Sequence, residues 1–229
     1  MTDESGDALT EDQPKRPVPL SPAARRVLGV MVEKAKTTPD NYPLTLAALI
    51  SGCNQKSNRD PKMDLDDDDA LLALDELRGL GASREVQGSG RATKYRHAAY
   101  EWLGVESPGA AVMTELLLRG PQTIGELRTR ASRMYALSDL DAAKAVVDEL
   151  VEKDLVQAVS PPGRGQVFAH KLYPPDEQQY LQAKVEKRAT VSTAAPKESQ
   201  TKVDQLIARL ETVTERIDQL ENRIKELES

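Results

Sequence analysis

The sequence predicts a mainly α chain with small β-hairpins, an α+β protein built from two copies of one helical unit. Three observations predict it. The dipeptide Ser-Pro opens an apolar helical pattern at residues 21–22 and again at 107–108, about 86 residues apart. Each opening is followed by two more helical patterns and then by two short β-prone runs around a Gly-rich turn. The last 29 residues carry an unbroken heptad repeat of apolar residues.

In chain order, residues 1–20 hold three prolines and five acids against two bases. They cannot bury enough apolar surface to fold and read as a disordered acidic arm. Ser21 is a good N-cap, and Pro22 is tolerated at the first helical position. Ala24, Val27, Leu28 and Met31 then mark one helix face. A second helix is expected from Thr45 to about Cys53, with Leu46, Leu49 and Ile50 inward. The segment SGCNQKSNRDPKMDL is too polar for core and reads as a structured loop. Ala70, Leu71, Leu74 and Leu77 line a third helix, and SREVQ and RATKYRH form a hairpin about Gly88-Ser89-Gly90.

The second copy runs in parallel. Val112, Met113, Leu116 and Leu117 line its first helix. Thr123 with Glu126 three residues on is a capping box for its second. Leu140, Ala143, Val147, Leu150 and Val151 line its third, and LVQAVS and QVFAHKLY flank a Pro-Pro-Gly-Arg-Gly turn. Three helices followed by a hairpin is the order of a winged helix-turn-helix domain. Two such domains in tandem are expected, at 21–105 and 106–173. Residues 174–200 read as a partly helical linker, and 201–229 as a coiled coil.

In that coil Val203, Leu210, Ile217 and Ile224 occupy one heptad position and Leu206, Val213, Leu220 and Leu227 the other. Arg216 and Arg223 at g can pair with Glu221 and Glu228 at e of a partner chain. Ile at a with Leu at d favours two strands, so a homodimer is expected. A lone amphipathic helix folded back on its own domains is the competing reading of the same stripe.

The phrases LSPAARRVLGVMVEKAKTTPDNYPLTLAALISGCNQKSNRDP and LLLRGPQTIGELRTRASRMYALSDL are similar to the paired signatures of the YceH-like bacterial family. The likeness covers about residues 19–173. It implies a tandem winged-helix fold and no catalytic residues. The acidic arm and the coil lie outside it.

Composition narrows the chemistry. The formal net charge is −6, with 30% charged and 39% hydrophobic residues, as expected of a soluble chain. One cysteine, Cys53, excludes an internal disulfide, and with only His97 and His170 beside it no zinc cage is expected. No run of about 18 apolar residues predicts a membrane span, and the polar N-terminus does not read as a secretory signal. A cytoplasmic protein without cofactor or membrane partner is the expectation. No set of nucleophile, base and metal ligands can be assembled, so no enzyme is expected. Cys53 reads as a buried structural thiol, and the two histidines as strand residues at matching places in the two hairpins.

Winged helices commonly bind duplex DNA with the third helix in the major groove. Here the first third helix opens with four aspartates, 66–69, and the second carries Asp139, Asp141, Asp148, Glu149 and Glu152. Bases number 12 against 12 acids over 22–105, and 8 against 9 over 106–173. Neither balance has the basic excess of a strong DNA binder. Bases cluster locally, at Lys56, Arg59 and Lys62 in the polar loop, and at Arg84, Arg91, Lys94 and Arg96 on or beside the first wing. Arg128, Arg130 and Arg133 fall on the second helix of the second copy, and Arg164 on its wing. The candidate phosphate contacts are therefore Lys56, Arg59, Lys62, Arg91, Lys94, Arg128, Arg130, Arg133 and Arg164. Ordinary solvated charges or internal ion pairs are the plainer reading of the same residues. Two functions follow. One is a DNA-associated regulatory or nucleoid protein. The other is a protein-interaction scaffold, like the condensin accessory ScpB by fold analogy, with the acidic third helices as docking faces.

Overall fold

The computed structural model describes residues 18–87, 92–163, 165–178, 181 and 185. Residues 1–17 of the expected arm, the candidates Arg91 and Arg164, and the heptad segment 201–229 expected as a coiled coil lie outside the described residues. What is described is a mixed α+β protein of helices and two small antiparallel sheets.

The first half begins with α1 (Pro22–Thr37), whose N-cap Ser21 accepts a hydrogen bond from the Ala24 amide. A 3₁₀ turn (Pro39–Asn41) leads to β1 (Leu44–Thr45). Thr45 then caps α2 (Leu46–Cys53) through the Ala48 amide. A 13-residue loop precedes α3 (Asp67–Gly79). Asp66 and Asp69 close a capping box there, so two of the four consecutive aspartates start the helix. The hairpin β2 (Ser83–Gln87) and β3 (Thr93–His97) follows, then a short helix α4 (Ala99–Leu103).

The second half repeats the order: α5 (Ser107–Arg119), β4 (Gln122–Thr123), α6 (Ile124–Ala131), α7 (Leu140–Glu152), β5 (Val156–Ala158) and β6 (Val167–His170). The expected Thr123–Glu126 capping box is formed. The sheets have equivalent strand orders, β1-β3-β2 and β4-β6-β5, all antiparallel. Thr45 and Thr123 hold the same place, as do Asp66 and Asp139, each capping its third helix.

The core differs from the sequence expectation in two ways. Every residue from Ala24 to Glu33 in α1, and from Gly109 to Leu118 in α5, is buried. The two first helices pack on each other as well as on their own halves, so they are covered on all sides. A Cβ at Gly29 would stand 2.9 Å from the Leu118 side chain, which shows how closely they cross. One apolar cluster consequently runs through both halves, past the boundary expected near residue 105. The third helices are also rotated. Ala70, Ala73, Leu74 and Leu77 are the buried stripe of α3, and Leu71 lies outside it. In α7 Ala143, Val147 and Leu150 are buried, while Leu140 and Val151 are exposed. No helix among the described residues is long and apolar enough to cross a membrane.

Candidate nucleic-acid interface

The nine candidate cations do not share one environment. Arg59 is buried, with a side chain 0% exposed. Its guanidinium donates to the Glu33 carboxylate at 2.5 and 3.1 Å, to the Gly52 carbonyl at 3.0 Å, to the Asn58 carbonyl at 2.9 Å and to Gln55 Oε1 at 3.1 Å. It cannot face a phosphate without vacating all five bonds. The plainer reading, an internal ion pair, applies to it, with Glu33 rather than the adjacent Asp60 as partner. Arg133 also reaches Glu33, and binds Glu115 at 2.6 Å. Arg130 donates to Gln122 Oε1 at 2.6 Å and pairs with Glu126 at 3.2 Å. Arg128 donates to the Ser138 carbonyl at 3.2 Å. Lys56 and Lys62 are exposed on the polar loop, and Lys94 is half-buried on β3.

The arginines drawn inward build a joint between the two halves. Glu33 belongs to α1 and Glu115 to α5, both essentially unexposed. Arg133 bridges them, and Arg119 lies 3.3 Å from the other Glu115 oxygen. Burial pushes the Glu33 carboxyl up, but the hydrogen bonds and charge of Arg59, with Arg133, outweigh it and hold the group below the ordinary carboxylate range. The polar loop completes the joint. Its Asp60 amide donates to the Leu118 carbonyl at 2.9 Å, and Asn58 accepts from Arg119. Asn54 pins the loop to Leu65 through two bonds, at 2.8 and 2.9 Å. Asn54, Gln55 and Asn58 therefore act as turn and joint residues, Asn58 with a φ of 60°.

A second group of cations lies on the first hairpin. In β3 Tyr95 is buried, so Lys94 and Arg96 lie on the opposite, outer face. Register sets Arg84 of β2 against Arg96, and Lys94 between Val86 of β2 and Thr45 of β1. Like charges directly opposite one another are unfavourable in a sheet. Arg84 is partly compensated by Glu101 at 2.9 Å. Lys94 also lines a groove of about 460 Å³ with Lys34, Asn41, Thr45, Ser51 and Gln55, Asp40 being its acidic wall. Neither Lys34, Lys94 nor Arg96 forms a salt bridge among the described residues. Lys34 was not recognisable from sequence. It sits in the last turn of α1, far along the chain from the wing it faces.

The other chemistry-bearing residues lie inside. Burial pushes the Cys53 thiol up to about 12, the opposite of a nucleophile. His97 and His170 are equivalents: each ring accepts, through Nδ1, the amide two residues on, from Ala99 and Leu172. Burial pushes His97 down to about 4, aided by Lys36 and Arg96, and His170 well below its ordinary value. No group of three or more potential metal ligands occurs among the described residues.

Comparison with known proteins agrees with the likeness drawn from the two signature phrases. A family profile described as a protein of unknown function, DUF480, matches residues 20–164. A UPF0502 protein of Rhodopirellula baltica is 66% identical over 190 residues, covering 83% of this chain and 80% of the relative. Others are 44% identical in Koribacter versatilis, over 69% of this chain and 76% of the relative, and 46% in Geobacter sulfurreducens, over 64% and 69%. On the extent of these matches, the chain belongs to the DUF480 (UPF0502) family of uncharacterised bacterial proteins, the YceH-like family.

Proposed function

We propose that this chain is a non-enzymatic tandem winged-helix protein that associates with duplex DNA through its first wing, not through its third helices. The supporting observation is the register that places Arg84, Lys94 and Arg96 on one outer sheet face, beside the groove that Lys34 shares. Such a face can hold phosphates and position a module on a duplex without reading bases. The aspartates at the start of α3 would meet phosphate with repulsion, so that helix stays out of the groove. Lys56 and Lys62, exposed on the polar loop, are further cations of the same half. The heptad segment 201–229 would pair two chains, and weak contacts from several wings would then add by avidity.

The test is titration of a labelled duplex at two salt concentrations. About four phosphate contacts predict a log–log salt slope near −3.6. Lys94→Glu with Arg96→Glu should flatten that slope by about 2 units. No binding at low salt, or an unchanged slope in the double variant, refutes the proposal.

A further inference from the structure

We infer that the solvent face of α3 is a docking surface for a cationic amphipathic helix of a partner protein. The inference concerns a different face from the wing and does not depend on DNA binding. Leu72 is 70% exposed and Leu71 39%, on a helix whose opposite stripe already fills the core. Neither leucine belongs to the apolar core cluster. Around them stand Asp67, Asp68 and Asp75, all exposed. Asp66 and Asp69 form the capping box, Asp67 and Asp68 also favour the helix dipole from the first turn, and Asp75 lies beyond its reach. The nearest base, Arg78, is engaged by Asp75 at 2.7 Å and by Glu85. The face is thus apolar at its centre and anionic at its rim.

That charge selects the occupant. Duplex DNA is repelled, and the same face of a second copy is repelled equally. A helix presenting apolar side chains between lysines or arginines complements both the centre and the rim. The second half does not repeat this patch: counted from the equivalent N-caps Asp66 and Asp139, Lys144 and Ala145 stand where Leu71 and Leu72 do, and its exposed apolar residues lie at opposite ends of the helix. Leu140 is 54% exposed at the start of α7 and Val151 42% at its end, and Lys144 and Lys153 are paired with Asp148 and Glu149.

The experiment uses the full chain and a fluorescein-labelled synthetic helix of about 18 residues, its leucine stripe flanked by lysines (the length needed for about five turns). A scrambled isomer of identical composition disperses the leucines. Fluorescence anisotropy should show the striped peptide binding at least about tenfold more tightly than the isomer. Leu71→Ser with Leu72→Ser should remove about that advantage, as loss of a central apolar anchor does. Asp67→Asn, Asp68→Asn and Asp75→Asn together should weaken binding further at low salt. Neither leucine belongs to the buried stripe of α3, so the variant should keep its far-ultraviolet dichroism, and its duplex affinity should be unchanged. Absence of binding, equal affinity for the isomer, or an unaffected serine variant overturns the inference. A parallel loss of duplex affinity would also overturn it, assigning the face to nucleic acid.

Discussion

Replacing Glu33 by glutamine tests whether the two halves are locked by their buried charges. Glu33 is 2% exposed in its side chain and accepts from Arg59, itself fully buried, and from Arg133. Glutamine keeps the shape and removes the charge, leaving the Arg59 guanidinium buried with only neutral acceptors. Breaking such a pair costs about 3–5 kcal/mol. With a urea dependence of about 2 kcal/mol per molar, the midpoint should fall by about 1.5–2.5 M. The control is Arg78→Ala. Arg78 is 52% exposed between two exposed acids, and its loss should cost about 0–1 kcal/mol. Urea unfolding followed by circular dichroism reports both halves. Fluorescence of Trp102, the only tryptophan, reports the end of the first half. The two signals should coincide if Glu33, Arg133 and Glu115 couple the halves. A Glu33→Gln midpoint no lower than that of Arg78→Ala would refute the reasoning, because the pair would then behave as though solvated.

Three further outcomes are expected. His97 titrates near 4 when folded and near 6.5 when unfolded, so the unfolded chain alone gains a proton as pH falls through that window. The His97 contribution should be constant above pH 7 and drop by about 2–3 kcal/mol toward pH 4, so His97→Gln should lessen the fall in urea midpoints across that range; an identical pH profile counts against it. A Cβ on Gly52 would meet Val30 Cγ1 at 2.6 Å where α2 crosses α1. Gly52→Ala should therefore destabilise by about 1–2 kcal/mol despite its better helix propensity, and a gain in melting temperature would contradict the close crossing. Leu220→Pro should convert a dimer to a monomer in sedimentation, and an unchanged mass would remove the coiled-coil pairing.

Much of the fold was legible because its punctuation is local. Ser21 before Pro22, and Thr123 three residues before Glu126, announce helix starts through bonds made within one turn. Two-residue strands such as Leu44–Thr45 carry no period and were invisible. The all-round burial of α1 was missed because its second partner, α5, lies some 85 residues away. Periodicity also set the third helices slightly out of phase, since Leu71 and Leu140 match the stripe yet lie at its margin. The site was less legible than the fold. Polarity assigns Arg59 to solvent, and its burial is made tolerable by the distant Glu33, by the Gly52 carbonyl of α2, and by Gln55 and Asn58 of its own loop. The cations of the first hairpin were visible as a cluster, but their common face is a matter of strand register, which composition does not encode.

The crossing of α1 and α5 bears on how this polypeptide can be divided. Severing it between Val105 and Glu106 would bare a greasy rod on each fragment, one from each first helix. Neither piece should remain monomeric in water. Mixed together, they should find one another and restore a nicked whole, as complementing fragments do when their seam is a shared interior.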